Sequence, residues 1–500
     1  MKYRMGEMDQ MTRNYLLLAS FFCLFYTFPL LISDGYYIDD LGRSIHGFAH
    51  WTANGRPAAD MIMILLNAGM PLTDTSPLPQ LMAVMVFIVV GRHVGKTFFD
   101  GNTLLSALAA LSLIASPYLL ENLSYRFDAL TMSLSIALAI FSATLQTRYA
   151  AAIEISFKTA LLILVLSLYQ ASINIYLAFT VILLVHQARE NLAPKVIFST
   201  LLKSLAALAL GVLIYSKLIV RKTISGSYSI EHSEATFDIH TLFANFTAYN
   251  AQALGLFKNA GFLYLFALYL ALIVILVGII AVRYLKNNGA GIATLAIAGA
   301  ILASPPLLLL STSGVLLFLK MPVLSPRVLV GFVSVIFFIL YGVASLFAKR
   351  YRSAAPLLVL PLFMLLTSLA YSYSAALQKQ RDLETYLARR ISEDLYTLKY
   401  DVKRDKVIIT GKAPYAVVTA HSIEKFPILE ALIQRNLIRW IWSYTALEHN
   451  VFLQGTKMPP QQDFNLALAG VTQENQVLDR DMYSINEVGI YKVISLKENR

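Results

Sequence analysis

The run TALLILVLSLYQASINIYLAFTVILLV, residues 159–185, decides how the rest of the chain is arranged. It holds no charged residue, and about 20 apolar residues suffice for one helix to cross a bilayer. Read as one tilted helix it is long but feasible. Read as two short helices meeting near Tyr169-Gln170-Ala171-Ser172, it puts everything downstream on the opposite side of the membrane. The basic residues favour the break. With two helices, Arg92/Lys96, Arg148/Lys158, Arg189/Lys195/Lys203, Arg283/Lys286 and Lys349/Arg350/Arg352 all share the side of the N-terminus. Positive charge in short loops marks the cytoplasmic face.

Working outward, further apolar stretches lie at 15–33, 79–97, 102–120, 128–147, 197–219, 262–282, 290–311, 328–348 and 354–373. With 155–170 and 171–187 they predict about 11 transmembrane helices. A hydrophobic content of 57% with only 14% charged residues agrees. The run after Lys2, Arg4 and Arg13 is long for a signal peptide and lacks a small-x-small site, so it reads as an uncleaved first helix. The single Cys23 excludes a disulfide framework and a cysteine metal site. The net charge of +11 sits mostly in short loops between apolar segments, which sets orientation and does not imply nucleic acid.

The character changes near residue 375. From Lys379 onward there are 17 Lys/Arg and 15 Asp/Glu, against 24 and 15 in everything before. The chain therefore reads as a polytopic α-helical membrane domain, 1–375, and a small α+β domain, 376–500. In the latter, 376–396 predicts a polar helix, 407–411 and 416–419 predict strands, 423–437 an amphipathic helix and 488–496 a final strand.

Between the first two apolar stretches lies loop 34–78, with Asp34, Asp39, Asp40, Asp60 and Asp74, Arg43 and Arg56, His46 and His50, and several aromatics. Connecting loops are usually a few residues long, so this one reads as an active-site loop. With the N-terminus on the cytoplasmic side it faces outward. Beside it fall the turn Glu121–Asp128, the long loop 220–261 and the segment Lys320–Arg327. Neither a glycine-rich phosphate loop nor a soluble α/β domain is present to bind a nucleotide. An enzyme on that face needs a donor that arrives through the membrane, a lipid-linked phosphate sugar. Such chemistry requires cations for phosphate and one carboxylate to deprotonate an acceptor hydroxyl.

Asp39 and Asp40 fit the base; the plainer alternative is a pair of solvated or helix-capping acids. Neighbouring side chains on a helix diverge by about 100°, so one of the pair faces the reacting atom. Arg43, Arg126 and Arg327 fit the phosphate, although interfacial arginines often only snorkel. Arg126 and Asp128 also read as an interfacial ion pair. Tyr37, Arg56, Asp60, Asp128, Tyr169 and Gln170 are candidates for binding substrate or shaping the loop. His46 and His50, four apart, share a helix face as metal ligands do, but too few ligands accompany them. No metal site is assigned, no cofactor is required, and a divalent cation is left open.

Tyr37-Ile38-Asp39-Asp40-Leu41-Gly42-Arg43, then Trp51 and Asn54-Gly55-Arg56-Pro57, resembles the bacterial membrane glucosyltransferases that decorate O-antigen, the serotype-converting Gtr type II family. Tyr125-Arg126-Phe127-Asp128 and Tyr169-Gln170 are similar to that family too. The resemblance implies a GT-C type glycosyltransferase in the bacterial inner membrane, with Asp39 or Asp40 as base. It implies glucosyl undecaprenyl phosphate as donor, supplied by a partner synthase and flippase, and an O-antigen sugar as acceptor in the periplasm. A polysaccharide polymerase or ligase, or a lipid-linked sugar flippase or transporter, are the alternatives. The acidic loop disfavours the first. Few charges inside the spans and no matching halves disfavour the second.

Overall fold

The computed structural model describes residues 2–347, 354–449 and 453–498. The predicted basic loop Lys349/Arg350/Arg352 lies outside the described residues. The chain divides into two compact units: 1–32, 49–69 and 75–371 in one, and 33–48, 70–74 and 372–500 in the other. The acidic stretch around Asp39 thus belongs to the same unit as the C-terminal residues.

The first unit is helical. Among the described residues, eight helices are long and apolar enough to cross a membrane: Gln10–Leu31, Leu78–Phe98, Ala151–Leu168, Gln170–Arg189, Pro194–Thr223, Ala260–Asn288, Ile292–Leu310 and Ala355–Thr397. Three other predicted spans are shorter helices, Thr103–Ile114, Ala129–Thr144 and Phe332–Leu346. Their positions explain their length. Nearly every residue of all three is buried, so they form the unit's interior, wrapped by the longer helices. Close approach is built into the sequence. A Cβ at Gly91 would stand 2.4 Å from the Ala110 Cβ, and one at Gly95 2.1 Å from the Ser106 Oγ. Small residues at such crossings let helices pack in apolar surroundings.

The 159–185 run is broken where its polar residues fall. Ala151–Leu168 ends, Tyr169 is extended at φ −160° and ψ 109°, a turn covers Gln170–Ser172, and Ile173–Arg189 follows. The long loop 220–261 is partly helical. It contains a 16-residue helix, Ile239–Leu254, capped by the Asp238 carboxylate accepting from the Thr241 N–H at 2.8 Å.

In the second unit, residues 372–397 of the long helix Ala355–Thr397 pack on a four-stranded sheet of order β1-β4-β3-β2. The strands are β1 (Lys406–Gly411), β2 (Gln476–Asp479), β3 (Tyr483–Val488) and β4 (Tyr491–Leu496). β1 and β4 are parallel; β3 and β4 form an antiparallel hairpin. Leu387, Ile391 and Leu395 meet Val407, Ile485 and Ile494 in its core. Two expectations fail here. Residues 416–419 open the helix Val417–Lys425 instead of a strand, and 423–437 is not one helix, because Pro427 separates Lys425 from the short turn Leu429–Leu432. Proline has no N–H for a continuing helix.

Candidate active site

Candidate residues gather in two places, one in each unit. In the helical unit the centre is Asp128. Arg56 donates to it through both terminal nitrogens, Nη1 to Oδ2 at 2.8 Å and Nη2 to Oδ1 at 2.5 Å. Trp51 Nε1 donates to the same Oδ2 at 3.0 Å. The Arg56 Nε donates to the Leu168 carbonyl at 2.5 Å, and its guanidinium lies 5.2 Å from the Tyr169 ring centroid. Burial works against the Arg56 charge, but the adjoining Asp128 carboxylate outweighs it and holds the guanidinium above its ordinary value. Arg56 thus reaches the helix break at Tyr169. Asp60 accepts the Trp51 and Thr52 N–H groups at 3.0 and 2.6 Å, which makes it a shaper of the loop. Gln170 donates to the Asn54 carbonyl at 2.8 Å and to the Tyr215 hydroxyl at 3.0 Å.

Beside this cluster Tyr169 donates to the Arg327 carbonyl at 2.8 Å. The Glu121 carboxylate, wholly buried, accepts from the Arg327 N–H at 2.7 Å and from the Ser325 hydroxyl at 2.8 Å. The Arg327 guanidinium stands 3.6 Å from Glu121 and 5.5 Å from the Tyr125 ring centroid. Glu121 enters the sequence reading only as the first residue of the turn Glu121–Asp128, with no role assigned to it. Arg126 is half-buried in the turn between Ser124 and Asp128. Leu329, two residues past Arg327, lines an apolar trough of about 420 Å³, whose walls include Phe257, Leu263, Phe266, Leu309 and Phe338.

In the second unit Asp39 and Asp40 open the eight-residue helix Asp39–His46. Acids in the first turn and Arg43 and His46 in the last complement the helix dipole. Gly47, left-handed at φ 63°, ends it by donating to the Arg43 carbonyl at 2.8 Å. His46 is therefore the last helical residue, and His50 does not share its helix face. The two acids diverge as adjacent helical residues must. Asp40 is fully buried, whereas the Asp39 side chain is 40% exposed and lies 3.9 Å from the buried Arg43. Ile38, just before them, has φ 47° and ψ −105°, a region a β-branched residue enters only under constraint. Tyr37 donates to the Leu432 carbonyl at 2.7 Å. Among the described residues no group of three or more His, Cys, Asp or Glu comes together to hold a metal.

Among the described residues, eight helices long and apolar enough to cross a membrane, with a four-stranded sheet in the second unit, mark a mainly helical membrane protein. Residues 28–338 match the family described as Glucosyl transferase GtrII. The chain belongs to that family and is a glycosyltransferase. It is also 30% identical over 442 residues to a Salmonella phage P22 protein described as an uncharacterized 55.3 kDa protein in the gtrB 5' region, covering 87% of this chain and 90% of that protein. No solved structure matches it.

Proposed function

We propose that this chain transfers a glucosyl group from a polyprenyl phosphate to O-antigen on the periplasmic face of the inner membrane. Membership of the glucosyl transferase family carries the sugar. The acidic helix opening at Asp39 supplies the chemistry. One carboxylate of the Asp39–Asp40 pair takes the proton from an acceptor hydroxyl, the oxygen attacks the anomeric carbon, and the bond from that carbon to the phosphate oxygen breaks. The lipid phosphate leaves without needing a strong acid. Arg43 in the helix of Asp39, and Arg126 and Arg327 in the helical unit, are each proposed as phosphate-binding cations.

The trough beside Leu329 gives the lipid a place. Its walls are mostly apolar side chains, several of them on the long apolar helices Ala260–Asn288 and Ile292–Leu310, and its volume is in the range of a ligand site. Arg327 lies in the turn Pro326–Val328, two residues before Leu329 of the trough's lining. A lipid tail in the trough and its phosphate near Arg327 form one amphiphilic site. Arg56, Asp60 and Asp128 are assigned to holding the loop, not to the sugar.

The test is transfer by purified protein offered either glucosyl polyprenyl phosphate or a nucleotide glucose. Transfer from the lipid donor alone supports the reading. Transfer from the nucleotide sugar, or from neither with acceptor present and the protein folded, overturns it.

A further inference from the structure

Resting on that reading of Asp39 and Asp40, we propose that the C-terminal residues 372–498 are part of the catalytic centre, with Tyr37 and Arg381 as positioning residues for the acidic helix. The family match ends at residue 338. The acidic stretch lies inside the matched span, yet it folds within the compact unit formed by residues outside it.

The attachments run along the whole stretch. Gln378 Oε1 accepts the Asp34 N–H at 3.0 Å. A Cβ at Gly35 would stand 3.1 Å from the Arg381 Cγ, so backbone and long helix are in close contact there. The Arg381 guanidinium lies 5.9 Å from the Tyr37 ring centroid, and the Tyr37 hydroxyl is tied to Leu432. At the far end Ser44 and His46 meet His449 and Glu448 at 3.4 and 3.2 Å, and Tyr36 stacks on His449.

Between these two sets of anchors sits Ile38, the residue with the disfavoured backbone. Such a conformation costs roughly 1–3 kcal/mol and persists only where its surroundings over-determine it. Here the anchors on either side of Ile38 are residues of the C-terminal segment. Arg381 shows the same bias toward position over stability. It is 6% exposed, donates through Nη1 to Glu384 at 2.7 Å, and its Nε and Nη2 have no hydrogen-bond partner. Leaving buried donors unsatisfied is costly. What the arginine gains is a flat cation against the Tyr37 ring, two residues from Asp39. Glu384 is itself fixed, accepting the Asn436 N–H at 2.9 Å. The chain of restraint therefore runs Asn436, Glu384, Arg381, Tyr37, Ile38, Asp39.

The full-length protein with glucosyl polyprenyl phosphate and lipid-linked acceptor tests this. Tyr37→Phe removes one hydroxyl and keeps the ring. It is expected to lower kcat about fivefold to tenfold with donor KM unchanged. Arg381→Ala should lower kcat at least as much, and Arg381→Lys, which keeps a cation over the ring, should recover part of it. In a second experiment His46→Cys and Glu448→Cys are joined by a short bismaleimide; the single native thiol, Cys23, is buried. The cross-linked protein should keep its activity, because the acidic helix works while seated on the C-terminal unit. Folded Tyr37→Phe and Arg381→Ala proteins both within twofold of the unaltered chain would overturn the proposal, as would loss of activity on cross-linking. Full activity in the Asp39→Asn/Asp40→Asn double variant would instead remove the base assignment itself, so the two failures are distinguishable.

Discussion

Removing either partner of the Arg56–Asp128 pair should damage the protein more than removing both. Asp128 accepts two bonds from Arg56 and one from Trp51, and both charged side chains are at least nine-tenths buried. Asp128→Leu leaves a buried guanidinium with the Leu168 carbonyl and, at 3.4 Å, the Thr131 hydroxyl as acceptors and no counter-charge from Asp128. Arg56→Leu leaves a buried carboxylate facing one indole N–H and the Thr131 hydroxyl. An uncompensated buried charge costs about 3–5 kcal/mol. At roughly 2–4 °C per kcal/mol either single variant should lower the thermal midpoint by on the order of 10 °C. The Arg56→Leu/Asp128→Leu double variant buries no charge. It orphans the Trp51 N–H and the Leu168 carbonyl, at about 1–3 kcal/mol each, while gaining apolar contact. It should therefore melt above either single variant, which requires a coupling of about 3 kcal/mol or more. The assay is monodispersity after heating in detergent, followed by size-exclusion chromatography. A double variant whose midpoint equals the sum of the two single losses would refute the account of this cluster.

Other outcomes follow from other sites. Glu121→Gln keeps the shape of the acceptor for Ser325 and the Arg327 N–H but removes its charge; donor KM should rise severalfold in a steady-state assay if Arg327 binds phosphate. Gly91→Ala and Gly95→Ala place a methyl 2.4 and 2.1 Å from atoms of the neighbouring helix, and each should cost about 1–3 kcal/mol in a thermal melt. In the C-terminal unit, Lys406 and then the Tyr491 hydroxyl hold the Asp463 carboxyl below its ordinary value. A depressed carboxyl contributes stability that is present above the unfolded value of about 3.9 and lost as pH falls through the lower folded value. Lys406→Ala should therefore move the acid-unfolding midpoint of that unit, followed by Trp440 and Trp442 fluorescence, to higher pH.

Much of the helical unit was legible because hydrophobic run length carries the signal. The break at Tyr169–Ser172 could be read because polar residues interrupt an uncharged stretch, and the basic loops supported it. Three predicted spans are helices shorter than their apolar runs, because composition does not tell a helix buried by protein from one buried by lipid. The C-terminal elements were misread where one proline overrides periodicity, as at Pro427, and where Val417–Val418–Thr419 suits a strand locally but begins a helix. At the site, the residue types of the first loop were informative. Their partners were not, because Arg56 meets Asp128 across 72 residues and Tyr37 meets Leu432 across 395. The Arg126–Asp128 proximity in sequence hid the bond that Asp128 makes with Arg56.

The central claim is glucosyl transfer with the acidic helix as the source of the base. It is tested most directly by mass spectrometry of O-antigen from a smooth host that lacks its own glucosylation. That host would express this chain with a polyprenyl-phosphate glucose synthase and its flippase. The expected result is a gain of one hexose per repeat, absent with Asp39→Asn/Asp40→Asn. An unchanged repeat mass with the protein folded in the membrane, or a gain that survives the double variant, would contradict the account.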